Sequence, residues 1–449
     1  MSQRSKRSVS DLDNHDIPMP DASPVKKTRG DRLQRMGTDG GKSRLEVPKK
    51  RTKTGQVYVF GNGDVGQLGL GDEMLERKRP MPLKSLEDEE IVDIVAGGIH
   101  TIAITKAGKL WSWGCNDQGA LGREGEEMEP ALIEGLDDVN IVKLACGDSI
   151  SIALSAEGKV YSWGSFRADD GILGFSKDQK VQSKPVLFSA LEKFKVVDIA
   201  AGADHAMALT DEGHVYSWGD GKQFQLGRRI MERRKTNGLV PERLALRNIV
   251  HIASGSYHSF ALNDKNELYV WGCNNFKQTG LSEEYGGRVP DVIETPTQLE
   301  TFTNDLIVKR VDAGEHHSVV LLANGNVYTF GRADSSQLGL PDSLLDSLEK
   351  QEDDMYHVER ESTHKRAIGL PTAVPNLSNV HHIAAGSNHT IAVTKDGKAY
   401  AWGFGESYQL GSGSDEDEKV PHLIEGQKIE GKEILVAAAG GQHSVILAE

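Results

Sequence analysis

The chain reads as an all-β protein, a seven-bladed β-propeller, and three observations predict it. First, a short pattern that opens on an aromatic residue and glycine and closes on glycine occurs seven times: FGNGDVGQLG, WGCNDQGALG, WGSFRADDGILG, WGDGKQFQLG, WGCNNFKQTG, FGRADSSQLG and WGFGESYQLG. The first glycines (Gly61, Gly114, Gly164, Gly219, Gly272, Gly331 and Gly403) are separated by 53, 50, 55, 53, 59 and 72 residues, a period that belongs to propellers and arrays. Second, most copies follow a hairpin signal such as HTIAITKAGKLWSWG or HSVVLLANGNVYTFG, two short strands around a turn rich in Asn, Asp and Gly. Third, the last hairpin, GGQHSVILAE, lacks its second strand, and a matching one, TGQVYVFG at 54–61, stands at the start.

Each element follows from these. Segments such as VYSW and LYVW carry the β-branched and aromatic residues that strands favour, and four strands in each of seven units make a propeller. The Gly-His to Trp-Asp signature of the WD type is absent. The strand at 54–61 is expected to pair into the final blade and close the ring, which removes the open sheet edge. Residues 54–449 are therefore expected to form the propeller, with a charge-rich insertion at 341–366 that forms a short helix or stays disordered. The run SDEDEK at 414–419 reads as a solvated acidic loop.

Charge divides the chain in two. The whole carries a net charge of -14, yet residues 1–53 hold fourteen Lys or Arg against seven Asp or Glu. That arm has few large apolar residues, so it is expected to be disordered. Its clusters PVKKTR, with Lys26 and Lys27, and VPKKRTK, with Lys49, Lys50 and Arg51, suit a nuclear import signal or phosphate contacts. The acidic body is excluded as a non-specific nucleic-acid binder, while the arm is not. No apolar run is long enough for a membrane helix, and MSQRSKRSVS lacks the apolar core of a secretory signal. Three scattered cysteines give no disulfide framework and no metal clip, so a reducing compartment is expected.

Internal repetition supplies its own control: what recurs in every blade is scaffold, and what occurs once is a candidate site. Gly followed three residues later by His recurs in six copies (His100, His205, His258, His317, His389 and His443), and the remaining copy has Ile150. One imidazole per blade does not make a metal site, and these histidines and the tryptophans are expected to be structural. The residues between Gly and His vary, leaving Asp148, Asp204, Glu315 and His316 as unrepeated polar groups at equivalent turns on one face. The third copy, Trp163 to Gly174, is two residues longer than the others and polar in its excess. No GxSxG elbow, P-loop or HExxH motif is present, so no conventional active site, metal or cofactor is expected.

The stretches GNGDVGQLGLGDEMLERKRP, WGCNDQGALGRE, WGSFRADDGILG, GRADSSQLGL and WGFGESYQLGSGSDEDE closely resemble the regulator-of-chromosome-condensation family of nuclear guanine-nucleotide exchange factors for the small GTPase Ran. The resemblance covers all seven blades. It implies that the long third copy is a β-wedge, residues 165–172 (Ser165, Phe166, Arg167, Ala168, Asp169, Asp170, Gly171 and Ile172), pressed against the GTPase near its phosphate-binding loop. Asp204, Arg167 and Asp64 match the family's exchange residues, and Asp148, Arg228, His316 and His443 its other Ran contacts. It also implies docking on nucleosomes, with the tail on DNA and a basic loop, carrying Arg233, Arg234 and Lys235, on the histone acidic patch. Importin is the implied partner for nuclear entry, chromatin the implied location, and Ran-GTP for nucleocytoplasmic transport and mitotic assembly the implied product. The alternative is a propeller scaffold without exchange activity.

Overall fold

The structure, a computed structural model, describes residues 44–449 apart from 282–289, 304 and 357–365. Among these residues seven four-stranded antiparallel sheets follow one another around a central channel. Numbered from the first sheet contiguous in sequence, blades 1 to 6 span 91–132, 141–187, 196–243, 249–299, 308–373 and 380–423. Blade 7 is composite: the strands Ile434–Ala439 and His443–Ala448 are joined by Gln56–Asn62 and Glu76–Pro82. The closing strand pairs from Gln56 opposite Ala448 to Gly61 opposite His443, as the incomplete last hairpin requires. It also fills the core: Val57 and Val59 pack with Leu435, Val445 and Leu447, while Phe60 lies in the next cluster with Leu410 and Ile446. Full burial of each such side chain contributes about 1.5–3 kcal/mol.

The recurring residues do recurring work. Four of the tryptophans lie fully buried and donate through Nε1 to a carbonyl of the preceding copy's loop, Trp113 to Gln67 at 3.0 Å, Trp163 to Ala120 at 2.8 Å, Trp271 to Gln225 at 2.9 Å and Trp402 to Gln337 at 3.0 Å. The six histidines, all fully buried, staple blade to blade. Nε2 of His100 meets the Ser151 hydroxyl at 2.9 Å, His205 meets Ser259 at 2.8 Å, His258 meets Ser318 at 2.8 Å and His317 meets Thr390 at 3.0 Å. His389 meets Ser444 at 2.8 Å and His443 meets Thr101 at 2.9 Å, which closes the circle. Burial holds these rings neutral, with His100 pushed down to about 4 and His205 to about 3. The glycine three residues before each site is sterically required. A Cβ on Gly97 would lie 2.3 Å from the Gly147 carbonyl, and one on Gly147 would lie 2.4 Å from that of Gly202.

The propeller unit starts at Arg44 rather than at residue 54. The segment from Arg44 to Lys53 lies along the face that carries the hairpin turns. The Leu45 amide donates to the Asp211 carbonyl at 2.9 Å, and Arg44 pairs with the Asp211 carboxylate at 3.1 Å. Val47 packs between two blade cores, Lys50 donates to Asn140 at 2.8 Å, and Arg51 faces Asp93 at 3.5 Å. Lys53 ends the strap on Glu433 and Glu449, at 2.8 and 2.7 Å. Composition alone treats this stretch as tail, but Leu45 and Val47 pack against the blade cores. The insertion forms the helix Asp342–Tyr356, whose Leu345 and Leu348 pack on Leu338 and Ile368. The acidic run 414–419 ends inside the outer strand Glu418–Leu423.

Candidate functional site: a hairpin wedge over an acidic rim

On the opposite face, blade 2 leaves its third strand, Val160–Gly164, and runs directly into a hairpin of two short strands, Phe166–Ala168 and Gly171–Gly174. Phe166 is 1 % exposed and fixes the hairpin base in the core, beside Leu173 and Phe175. The turn is Asp169-Asp170, closed by Ala168 paired with Gly171. Gly171 has φ of 119°, a conformation that side chains resist. Arg167, Asp169, Asp170 and Ile172 are exposed, and Ile172 is 43 % so, an apolar side chain presented to solvent at the tip. Ser165 and Phe166 are buried, so they support the hairpin rather than touch a partner.

The hairpin is aimed by the next blade. The Arg167 backbone N–H donates to Oδ1 of Asp204 at 2.6 Å, and Lys222 and Lys235 pair with Asp169 and Asp170. Asp204 occupies the turn between the strands Val196–Ala201 and His205–Thr210, at the site that repetition left variable. Asp148 occupies the same turn of the preceding blade, and its amide donates to the Ala203 carbonyl at 3.0 Å. Burial raises the Asp204 carboxyl to about 7, reinforced by the negative charges of Asp148 and Asp220 and opposed by the Arg167 amide. Burial and Glu315 raise Asp148, and burial raises Asp220. The same field, after burial, lifts the Tyr257 hydroxyl to about 12. These groups form one acidic rim, and an approaching cation would offset the burial and mutual repulsion that raise Asp204, Asp148 and Asp220.

The sequence-derived residues do not all converge. Arg167, Asp148, Asp204 and Glu315 share the rim. His316 is half-buried beside them, 3.5 Å from Glu315 and with its ring tilted against Phe276 at 4.5 Å between ring centres. Asp64 is exposed on its own loop, its amide bound to Asn62 at 3.0 Å, and makes no contact with the wedge. Arg228 turns inward, donating to the Val240 carbonyl at 3.0 Å with Glu242 at 3.4 Å, so it braces the 228–241 loop. His443 is a correction: fully buried and bonded to Thr101, it belongs to the structural ring and has no surface to offer a partner. Arg233 and Arg234 are exposed, whereas Lys235 is held by Asp170. Lys49 is exposed, while Lys50 and Arg51 are engaged by the propeller; Lys26 and Lys27 lie outside the described residues. Asp220 and Lys222 were missed. The residue after the first glycine of each copy reads Asn62, Cys115, Ser165, Asp220, Cys273, Arg332 and Phe404, so a single carboxylate at that position was a readable signal.

A closed ring with one cross-braced hairpin beside buried carboxylates defines a β-propeller whose distinctive surface is this rim. The RCC1-like domain model matches residues 56–446. Protein pim1 of Schizosaccharomyces pombe is 38 % identical, covering 97 % of this chain and 83 % of its own. The guanine nucleotide exchange factor SRM1 of Saccharomyces cerevisiae is 35 % identical, covering 87 % and 86 %. The crystal structure of Prp20p from Saccharomyces cerevisiae, described with its binding properties to Gsp1p and histones, superposes with a TM-score of 0.82 at 36 % identity over 89 % of this chain and 92 % of that one. The same yeast protein bound to Kap60 gives a TM-score of 0.84 at 35 % identity, covering 94 % and 96 %. The chain belongs to the regulator-of-chromosome-condensation family.

Proposed function

We propose that this protein is the guanine-nucleotide exchange factor of a Ran-type GTPase, using the 166–174 hairpin as the wedge that loosens the bound nucleotide. The observation that carries the reading is the bond from the Arg167 amide to Asp204, which ties a protruding element to a carboxylate held back from ionising. The mechanism makes and breaks no covalent bond. A GTPase grips its nucleotide through phosphates and a basic phosphate-loop side chain. Asp204, Asp148 and Asp220 compete for that cation, while Ile172 and Arg167 press on the loop. By linkage, preference for the nucleotide-free form weakens nucleotide binding by the same factor, and each tenfold gain in release rate takes about 1.4 kcal/mol off the barrier. Asp64 would act as a peripheral contact and Arg228 as the brace of its loop.

The partners divide by charge. The acidic rim takes the basic surface of the GTPase. Arg233 and Arg234, exposed beside the wedge, suit the acidic patch of the core histones, and the basic arm suits DNA and an importin; the yeast relatives' histone and Kap60 binding supports this. Chromatin in the nucleus is then the working location, where Ran-GTP is made for transport and mitotic assembly. Stopped-flow release of fluorescent GDP from purified Ran tests the proposal. Catalytic amounts of the protein should accelerate release; a folded sample that leaves the spontaneous rate unchanged would overturn it.

A further inference from the structure

The acidic run that begins at Ser414 takes no part in the exchange site, and it meets a recurring feature of the ring. In five blades the outer strand bulges where it pairs with its neighbour, and each bulge is a three-residue segment ending in proline. The segments read KRP at 78–80, SKP at 183–185, ETP at 294–296, GLP at 369–371 and KVP at 419–421. Proline is scaffold here, since it has no N–H to leave unpaired on an edge strand. Blade 7 alone fills both variable positions with cations, Lys78 and Arg79. By the rule that separates scaffold from site elsewhere in the ring, that pair is a candidate site.

The two cations face the loop of blade 6. The Gly413 amide donates to the Lys78 carbonyl at 3.0 Å. The Arg79 guanidinium lies against Gly413 by its Nε–Nη2 edge: a Cβ there would come 2.7 Å from Nη2 and 2.8 Å from Nε. Lys78 lies 4.5 Å from the centre of the Tyr408 ring, and its ammonium is raised by the Tyr408 hydroxyl and, more weakly, by the Asp415 carboxylate. Ser414 thus stands between the residue that Arg79 covers and the residue that Lys78 senses. Arg79 is exposed and donates through Nη1 to the Glu425 carbonyl at 2.9 Å; neither cation joins an ion pair among the described residues. The two serines of the loop are not equivalent. The Ser412 hydroxyl donates to the Ser414 carbonyl at 3.3 Å, whereas that of Ser414 accepts from the Glu416 amide at 3.2 Å and keeps its own proton free of any acceptor among the described residues. Ser414 is also the one followed directly by Asp415, Glu416, Asp417 and Glu418. From Gly411 to Asp417 the backbone forms neither helix nor strand, so extending it breaks single bonds to the scaffold, such as that from the Gly405 amide to Asp417 at 2.9 Å.

We propose that Ser414 is a phosphorylation site and that Arg79 and Lys78 of blade 7 receive the phosphate. A kinase with a basic cleft reads carboxylates on the C-terminal side of its serine, and this loop offers them at each of the next four positions. In the transfer Ser414 Oγ bonds to the γ-phosphorus of ATP and the bond from that phosphorus to the β–γ bridging oxygen breaks. ADP leaves, and the hydroxyl proton passes to the kinase's carboxylate base. The product carries a charge of about -1.5 to -2 near pH 7. Asp415 and Glu416 repel such a charge, while the Nε–Nη2 edge of Arg79 is placed to take two of its oxygens at once. The new pairs run from blade 6 to the strand Glu76–Pro82, the N-terminal contribution to blade 7, and so clamp the seam where the ring closes. This site is independent of the wedge and stands or falls apart from the exchange reaction.

The folded full-length protein is treated with ATP and an acidophilic serine kinase, and the modified residues are mapped by mass spectrometry. Wild type should be labelled on Ser414 close to stoichiometrically, and Ser414→Ala should lose that label while any labelling elsewhere in the chain persists. No label on Ser414, with the kinase active on an acidic control peptide, would overturn the site. The receptor is read by ³¹P titration of the phosphorylated protein. The second ionisation of phosphoserine falls at about 6 in an open chain, and a guanidinium favours the dianion. The midpoint in wild type should therefore lie at least about 0.5 pH lower than in Arg79→Gln, with the distant control Arg233→Gln titrating as wild type. Equal midpoints in wild type and Arg79→Gln would contradict the clamp.

Discussion

Six blade junctions and a seventh are built differently, and the odd one lies beneath the wedge. At six, a buried imidazole donates to a hydroxyl or accepts from one on the next blade. At the junction between blades 2 and 3 the imidazole is replaced by Ile150 and the hydroxyl by Ala206, both fully buried in one apolar cluster. An imidazole at 150 facing Ala206 would be left without the hydroxyl that its counterparts meet, whereas the serine hydroxyls at the other junctions also donate to a loop carbonyl. Together the two replacements exchange a directional bond for apolar contact with no polar group left over. The blade that parts with the staple also carries the hairpin, and its rim is re-braced from outside by Asp204, Lys222 and Lys235. Departures from the repeat come in compensating pairs, and they gather where the ring acts on a partner.

The largest effect should come from breaking the ring. Removal of residues 54–62 strips blade 7 of the strand that pairs with His443–Ala448, and no cooperative melting transition should remain in calorimetry. Next, Asp204→Asn should fold normally and slow GDP release from Ran at least tenfold, a loss of about 1.4 kcal/mol or more from the barrier. The junctions can then be exchanged. Ile150→His alone buries an imidazole opposite a methyl group and should cost about 1–3 kcal/mol in chemical denaturation, whereas adding Ala206→Ser should recover a clear part of it. A double variant no better than the single one would sink the paired reading.

Acidity separates the two regions further. The Asp204 carboxyl is raised to about 7 in the folded protein against about 3.9 in an open chain, so the folded state binds the proton more tightly. Its contribution to stability is full below the unfolded value and is lost as pH climbs from about 4 through 7. Relative to Asp204→Asn, the wild type should therefore lose stability over that interval, and its exchange rate should rise there as the carboxylate forms. Parallel profiles for the two proteins would contradict the role. The smallest effect belongs to the strap: Lys53→Ala removes an exposed pair of contacts and should shift the melting temperature by about 1 °C or less.

Much of this was legible in the chain because repetition made it so. The missing final strand announced ring closure, six recurring histidines announced scaffold, and a two-residue excess in the third copy marked the hairpin. What stayed hidden depended on distances between blades. Asp220 is the one carboxylate at its repeat position, yet its role emerges only where the fold sets it beside Asp204. Lys222 drew no reading and Lys235 read as a nucleosome contact, because the turn they brace lies more than fifty residues earlier. The strap looked like tail, since two apolar anchors among five basic residues do not show where they dock. His443 misled in the other direction, since a family contact position here coincides with a structural one.

In the proposed mechanism the rim confers docking and the hairpin converts it into release. The direct measurement replaces residues 167–171 with a Gly-Asn turn and compares, in one preparation, affinity for nucleotide-free Ran and the rate of fluorescent GDP release. The trimmed ring should still bind, through Asp148, Asp204 and Glu315, while release falls back towards the spontaneous rate. Release at the wild-type rate without the hairpin would contradict the claim.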